Sequence, residues 1–388
     1  MAARTFAQHL DPAVGPKRIL ALDGGGLRGV LTLAILKKIE DVLRDRTGAG
    51  LEFRLSDYYD LIGGTSTGSI IAAALSLGMS VDEVRTHYFR LGQDVFKPGL
   101  LSFGVLNPRY DAKKVVAALK AVYGERTLGS GDFKTGLMVM SKRLDTGSPW
   151  PLTNHPKARY FSAREGSKTV PNRDYPLWSV VRASTAAPTY FEPESVVIKA
   201  ADALAEMPEV RGEFIDGGVS TANNPSLQLV LTATVTGYGF GWKMGEDQLA
   251  VTSVGTGRAD PALGVSTGLQ TLAAAGGIRA LSSLLEDCAD LVETMMQWMS
   301  RSPTARQLDR EMGSLEGCHP GGAPCLSYHR YNVHFEPAWF KKHMGMALDK
   351  AKLDELAKMD KSSNMQRLEQ IGVEAANRFV KPEHFGVA

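Results

Sequence analysis

Tyr58-Tyr-Asp-Leu-Ile-Gly-Gly-Thr-Ser-Thr-Gly-Ser-Ile-Ile-Ala-Ala-Ala-Leu-Ser-Leu77 is the stretch that decides how the chain is read. Tyr58 to Ile62 predicts a strand, Gly63 to Gly68 a tight turn, and Ser69 to Leu77 a buried helix, because it is apolar nearly all round. Gly64-Thr-Ser-Thr-Gly68 is thus a Gly-x-Ser-x-Gly at a strand-to-helix junction, the nucleophile-elbow pattern. Gly64 and Gly68 remove side chains where a tight turn has no room for them. The hydroxyl of Ser66 then projects beside the positive end of the following helix.

The same syntax stands upstream. Arg18 to Leu22 reads as a buried strand, Asp23-Gly-Gly-Gly-Leu-Arg-Gly29 as a junction, and Val30 to Arg44 as an amphipathic helix with Lys37, Lys38, Glu40 and Asp41 outside. Gly136 to Ser141, Gln248 to Val254 and the shorter Phe214-Ile215 are further strands, and Pro176 to Ala187 is a helix. Strand–turn–helix units in series predict an α/β fold, a three-layer α/β/α sandwich around a mostly parallel sheet. Leu281 to Met299 predicts a helix whose core face carries Leu281, Leu284, Leu285, Cys288, Leu291, Val292, Met295 and Met299. Glu286, Asp287, Asp290 and Glu293 are expected to face away from that stripe, which packs on the core or in a homo-oligomer.

Two glycine strings carry the remaining chemistry. Gly24 to Gly29 has the G-x-G-x-x-G spacing of a dinucleotide loop, and Asp41 and Asp45 stand near the offset of a ribose-binding acid. Both acids fall within a helical pattern, however. An oxyanion hole is the alternative, because consecutive glycines leave backbone N–H groups free to converge on one spot. It is preferred once the loop is read together with the elbow, and a nucleotide-binding module remains the rival from another class. Asp216-Gly-Gly218 after a short strand is in isolation a turn. His87, His155 and His334 are the histidines available to complete an ordinary triad, and none sits in a recognisable motif. Arg28 either anchors the loop or lipid phosphate, or bonds a nearby carboxylate.

Taken together, Asp23–Gly29, Gly64–Gly68, Asp216–Gly218 and Ala183-Ser-Thr-Ala-Ala-Pro-Thr-Tyr-Phe191 resemble, in this order, the motifs of the patatin-like phospholipase family. The resemblance implies a Ser–Asp dyad, with Ser66 as nucleophile and Asp216 as base. It implies an oxyanion loop of Gly24, Gly25 and Gly26 with Arg28 as its cation, and motif support from Gly29, Gly64, Gly68, Gly217 and Gly218. It also implies a phospholipase A or lysophospholipase acting on membrane phospholipid or another lipid ester, with no metal and no cofactor. An acyltransferase or non-lipid esterase using the same dyad is the alternative. Some bacterial proteins resembling this family are antiphage effectors switched on by cyclic oligonucleotides, which sets up the expectation of such an activator here.

Over 388 residues, 44 basic and 42 acidic side chains leave a net charge of +2, which argues against a binder of nucleic acid polymers. Cys288, Cys318 and Cys325 are too few for a disulfide framework, and no second ligand pair follows at zinc spacing. Met1 to Arg18 lacks the apolar core of a signal peptide, so a cytoplasmic chain, peripheral at the inner membrane, is expected. Residues 1–16 read as a loose leader, 17–230 as the catalytic core, and 231–388 as a continuation of the α/β domain with added helices. Within that last part, 301–325 reads as a surface loop and Ala347 to Met359 begins a final helical region.

Overall fold

The computed structural model describes residues 4–95, 110–201, 207–259 and 273–386. Its strands are β1 (Lys17–Leu22), β2 (Leu61–Thr65), β3 (Gly136–Arg143), β4 (Pro149–Thr153), β5 (Glu194–Lys199), β6 (Val210–Asp216), β7 (Leu249–Val254), β8 (Arg258–Ala259), β9 (Ser300–Arg301), β10 (Leu326–Tyr331) and β11 (His334–Phe335). The main sheet runs β5-β6-β3-β2-β1-β7-β10-β9, with β4 paired to β3, while β8 and β11 pair separately. From β3 through β9 every neighbour is parallel; β4, β5 and β6 join antiparallel at one end. The fold is therefore mixed α/β around a mostly parallel sheet.

Alternation along the central strands splits the core in two. Leu20, Leu22 and Ile62 face one side, and Ile19, Ala21 and Leu61 the other. The first side is covered by α2 (Gly29–Thr47), α4 (Thr67–Ser76), α5 (Val81–Val95) and α6 (Ala112–Tyr123), after the short α1 (Phe6–Leu10) and the single turn α3 (Leu55–Tyr58). Beyond these come α7 (Leu177–Ser184), α8 (Ser226–Thr234) and α9 (Ala273–Met299), then α10 (Pro337–Trp339), α11 (Lys350–Leu356) and α12 (Met365–Phe379). Leu229 and Val230 of α8 and Val292 and Met296 of α9 cover the second side. On α12, Gly372 lets its helix lie against α2, where a Cβ would come within 2.8 Å of the Cβ of Ala34.

Several expectations are corrected. The strand before Ser66 is Leu61–Thr65 rather than Tyr58 to Ile62, and Leu55–Tyr58 is a helical turn. Gly63 and Gly64 belong inside the strand because Leu229 packs where a Cβ of Gly63 would sit, and the carbonyl of Gly68 where one of Gly64 would. The described part of the leader is not loose. Thr5 and Gln8 form a capping box on α1, and Arg4 and His9 both bond the buried Asp60. The helix expected over Pro176 to Ala187 spans Leu177–Ser184.

The long helix α9 keeps only part of its expected apolar face on the core: Val292 is buried and Asp287 exposed, as expected, but other positions are exchanged. Leu284, Leu291 and Trp298 are 57%, 60% and 38% exposed, whereas Val292, Glu293, Met296 and Gln297 are buried. The side chain of Leu281 lies outside the described residues. The cause is ionic: Arg306 bonds Glu293 at 2.7 Å, and Arg258 bonds Asp290 at 2.5 Å. A buried carboxylate needs such a partner, so Glu293 turns inward to Arg306, with the half-buried Asp290 held beside it by Arg258.

Candidate active site

Ser66 sits between β2 and α4 with φ 53° and ψ −127°, a conformation that costs a non-glycine residue about 1–3 kcal/mol. Its neighbours hold it there. The N–H of Ser66 donates to Ser184 Oγ (2.9 Å), which itself donates to the Met140 carbonyl (2.5 Å). Ser69 Oγ donates to the carbonyl of Ser66 at 2.6 Å. A Cβ on Gly68 would lie 2.2 Å from the Leu22 carbonyl oxygen, so the turn closes directly onto β1 and tolerates no side chain there.

Asp216 ends β6, next to β3, and its backbone N–H donates to the Ala186 carbonyl. Ser66 Oγ donates to Asp216 Oδ2 at 2.5 Å, and the Gly218 N–H donates to Oδ1 at 2.7 Å. Burial raises the Asp216 carboxyl from 3.8 to about 6, against the opposing pull of Ser66, the Gly218 N–H and the Arg182 charge. Gly217 is required by contact, since a Cβ would meet the Met140 carbonyl oxygen at 2.3 Å. Arg182 is buried and donates to the Glu192 carbonyl at 2.7 Å, while its Nε and Nη1 have no partner among the described residues.

The glycine loop lies beside both. The Gly24 N–H is already engaged by the Asn223 carbonyl at 3.2 Å. Among the described residues, the N–H groups of Gly25, Gly26 and Thr67 have no recorded acceptor. A Cβ on Gly24 would lie 3.1 Å from Ser66 Cβ, so the loop passes within contact of the serine. Gly29 starts α2, where a Cβ would strike Thr67 and Tyr88. Arg28 is buried and donates to the carbonyls of Gly25 (3.4 Å) and Ala357 (3.3 Å), so it ties the loop to the segment after α11.

Residues that the sequence reading passed over complete the support. Arg330 of β10 grips Asp23 with two nitrogens, at 2.8 and 2.5 Å, and also donates to Ser253. Thr256 Oγ1 donates to the Gly24 carbonyl at 2.8 Å, and the Leu27 N–H donates to the Met359 carbonyl at 2.7 Å. Tyr88 donates to the Gly26 carbonyl. No local motif marks Arg330, Thr256 or Met359, because they reach the loop across hundreds of residues. Ser184 alone lies in one of the four motif strings.

The alternatives fare as follows. Among the described residues, no histidine bonds Ser66 or Asp216. His155 accepts from the Lys157 N–H and packs on Phe240, and burial lowers it to about 4. His334 stacks on Trp339, with its value lowered by burial to about 3, and His87 lies on α5. Asp41 and Asp45 are on α2, where Asp41 pairs with Lys37 and Arg44 at 2.8 Å each rather than closing a ribose site.

A backbone-strained serine, a carboxylate on its hydroxyl and adjacent unengaged N–H groups on a mostly parallel sheet give the arrangement that acyl transfer through a serine requires. The family model for patatin-like phospholipase matches residues 20–230, and the chain belongs to that family. Patatin-17 from Solanum cardiophyllum is 29% identical over 59% of this chain and 55% of its own length. A cGAMP-activated phospholipase from Vibrio cholerae is 30% identical over 56% of this chain and 57% of its own. The chain thus spans little more than half the length of these relatives. Human GIVD cytosolic phospholipase A2 aligns with a TM-score of 0.42 at 11% identity, over 93% of this chain and 58% of that one, too distant to add to the assignment.

Proposed function

We propose that the chain is a serine lipid acyl hydrolase of the phospholipase A or lysophospholipase type, working from the cytoplasm on membrane lipid. The observation that carries this reading is the 2.5 Å contact between Ser66 Oγ and a desolvated Asp216. An ordinary aspartate is too weak a base for a hydroxyl, but one raised to about 6 is closer to the task while still ionised at neutral pH.

Ser66 Oγ attacks the ester carbonyl carbon as Asp216 Oδ2 takes its proton. The oxygen that becomes negative is met by the N–H groups of Gly25, Gly26 and Thr67. The tetrahedral adduct collapses, Asp216 returns the proton to the leaving alcohol, and an acyl-enzyme remains. Water then attacks with Asp216 again as base, and fatty acid leaves. Preorganisation matters more than basicity here, since strain and hydrogen bonds hold Ser66 before substrate arrives.

A fluorophosphonate probe is expected to label the wild type and not Ser66→Ala, and mass spectrometry of a digested phospholipid mixture should show free fatty acid only with the wild type. Undiminished hydrolysis by both Ser66→Ala and Asp216→Asn would falsify the dyad. Transfer of the acyl group to an added alcohol in place of water would favour the acyltransferase alternative. Because relatives are named cGAMP-activated phospholipases, we further propose that a cyclic oligonucleotide switches the activity on, in an antiviral role. A lipase assay with a panel of cyclic dinucleotides tests this, and indifference to all of them counts against it.

A further inference from the structure

Successive glycines give the loop beside Ser66 its room, and they also leave its peptide planes undetermined. With no Cβ on either side, the peptide joining Gly24 to Gly25 can turn over at little steric cost. The two orientations have opposite chemical consequences. In a trans peptide the C=O and the N–H of one plane point in opposite directions. One orientation offers the Gly25 N–H to a developing negative charge. The other offers it the Gly24 carbonyl oxygen, which repels it.

One hydroxyl selects between them. Thr256 Oγ1 donates to the Gly24 carbonyl at 2.8 Å. A Cβ on Gly24 would lie 3.1 Å from Ser66 Cβ, whereas a Cβ on Gly25 would lie 2.0 Å from Thr256 Oγ1. The loop thus runs between the nucleophile and this threonine. The next carbonyl, that of Gly25, is held by longer bonds, from the N–H and the Nε of Arg28 at 3.3 and 3.4 Å.

Thr256 is itself fixed from behind. It is buried, just past the end of β7, between Gly255 and Gly257. Thr32 Oγ1 donates to the Gly255 carbonyl at 2.8 Å, and the Gly255 N–H donates to the Tyr331 carbonyl at 2.9 Å. The Gly257 N–H donates to Asn332 Oδ1 at 2.9 Å. These bonds place the hydroxyl without help from the loop that it holds.

We propose that Thr256 is a positioning residue of the reaction, its hydroxyl turning the Gly24–Gly25 peptide so that the Gly25 N–H meets the oxyanion formed at Ser66. This role rests on the hydrolase reading above. Thr256 acts through a peptide plane, so its loss is felt in the transition state more than in substrate binding.

The test compares, in the full chain, Thr256→Val, which keeps the shape and removes the hydroxyl, with Thr256→Ser, which keeps the hydroxyl. On p-nitrophenyl butyrate, Thr256→Val should lower kcat at least about tenfold while KM changes less than about twofold. Its affinity for an alkyl trifluoromethyl ketone, which forms a tetrahedral adduct with a serine, should fall by the same factor as kcat/KM. Thr256→Ser should stay within about threefold of the wild type in each measurement. An unchanged kcat in Thr256→Val, or an equal loss in Thr256→Ser, overturns the proposal and leaves the hydrolase standing. Hydrolysis that survives Ser66→Ala strikes instead at the hydrolase reading. The unmutated protein gives an independent measurement by amide NMR with labelled glycine. The Gly25 amide proton should move downfield when the ketone adduct forms, as it donates to a charged oxygen. A Gly25 amide that does not move overturns the proposal even if Thr256→Val fails to fold.

Discussion

Asp216→Asn is expected to stabilise the protein at neutral pH while it abolishes ester hydrolysis. Burial raises this carboxyl from 3.8 to about 6, so at 1.36 kcal/mol per unit its ionised form costs the native state about 3 kcal/mol. The folded value lies above the unfolded one. Stability held through the bound proton is therefore complete below about 4 and lost as the pH rises through about 6. Asparagine removes the charge and keeps both contacts, its Oδ1 accepting from the Gly218 N–H and its Nδ2 donating to Ser66 Oγ. The variant should then exceed the wild type by up to about 3 kcal/mol at pH 8, shrinking to about 1 kcal/mol at pH 4.5. Urea unfolding followed by tryptophan fluorescence measures this, with Trp150 packed against Phe214 of the same strand as a local reporter. A pH-independent difference, or a variant less stable at pH 8, refutes the reasoning. In the same series, wild-type kcat/KM should fall about tenfold per unit below pH 6, as the base is protonated. A flat profile down to pH 5 would mean that Asp216 is not the base.

Arg330→Gln leaves the buried Asp23 carboxylate unpaired and should cost about 3–5 kcal/mol, part of which Asp23→Asn restores in a double-mutant cycle read by urea unfolding. Ser184→Ala deprives the Ser66 N–H of its acceptor. It should lower stability by about 1–2 kcal/mol and kcat by about tenfold, with KM changed less than about twofold in steady-state kinetics. Gly68→Ala places a methyl 2.2 Å from the Leu22 carbonyl oxygen and is expected to lose more than about 3 kcal/mol, visible as a lowered melting temperature or as insoluble protein.

What was legible in the sequence was local. The elbow at Ser66 could be read because its turn, its glycines and its apolar helix are contiguous. The strand offset there came from giving Gly63 and Gly64 to the turn, when the reason for their smallness is a neighbour, Leu229, that sequence spacing does not reveal. Asp216 was named through resemblance alone, since Asp-Gly-Gly is locally an ordinary turn and its meaning depends on a strand pairing with Arg143 and Ser141. The inward placing of Glu293 and the exposure of Leu284 and Leu291 on α9 were missed for a related cause. Periodicity ranks carboxylates as outward, but Arg258 and Arg306 arrive from elsewhere in the chain and reverse the preference. Similarly, Gly24 looked like a free donor until Asn223 supplied an acceptor from nearly two hundred residues away.

The grip of Arg330 on Asp23, and of the Met359 carbonyl on the Leu27 N–H, has a bearing on biosynthesis. A ribosome makes the glycine loop, the serine and the aspartate more than a hundred residues before Arg330 and Met359, which brace the loop. Nascent chains fold progressively from the N-terminus, so every motif is present on a growing polypeptide whose loop still lacks its two late braces. The glycine loop is thus held in place only once Arg330 and Met359 have been made.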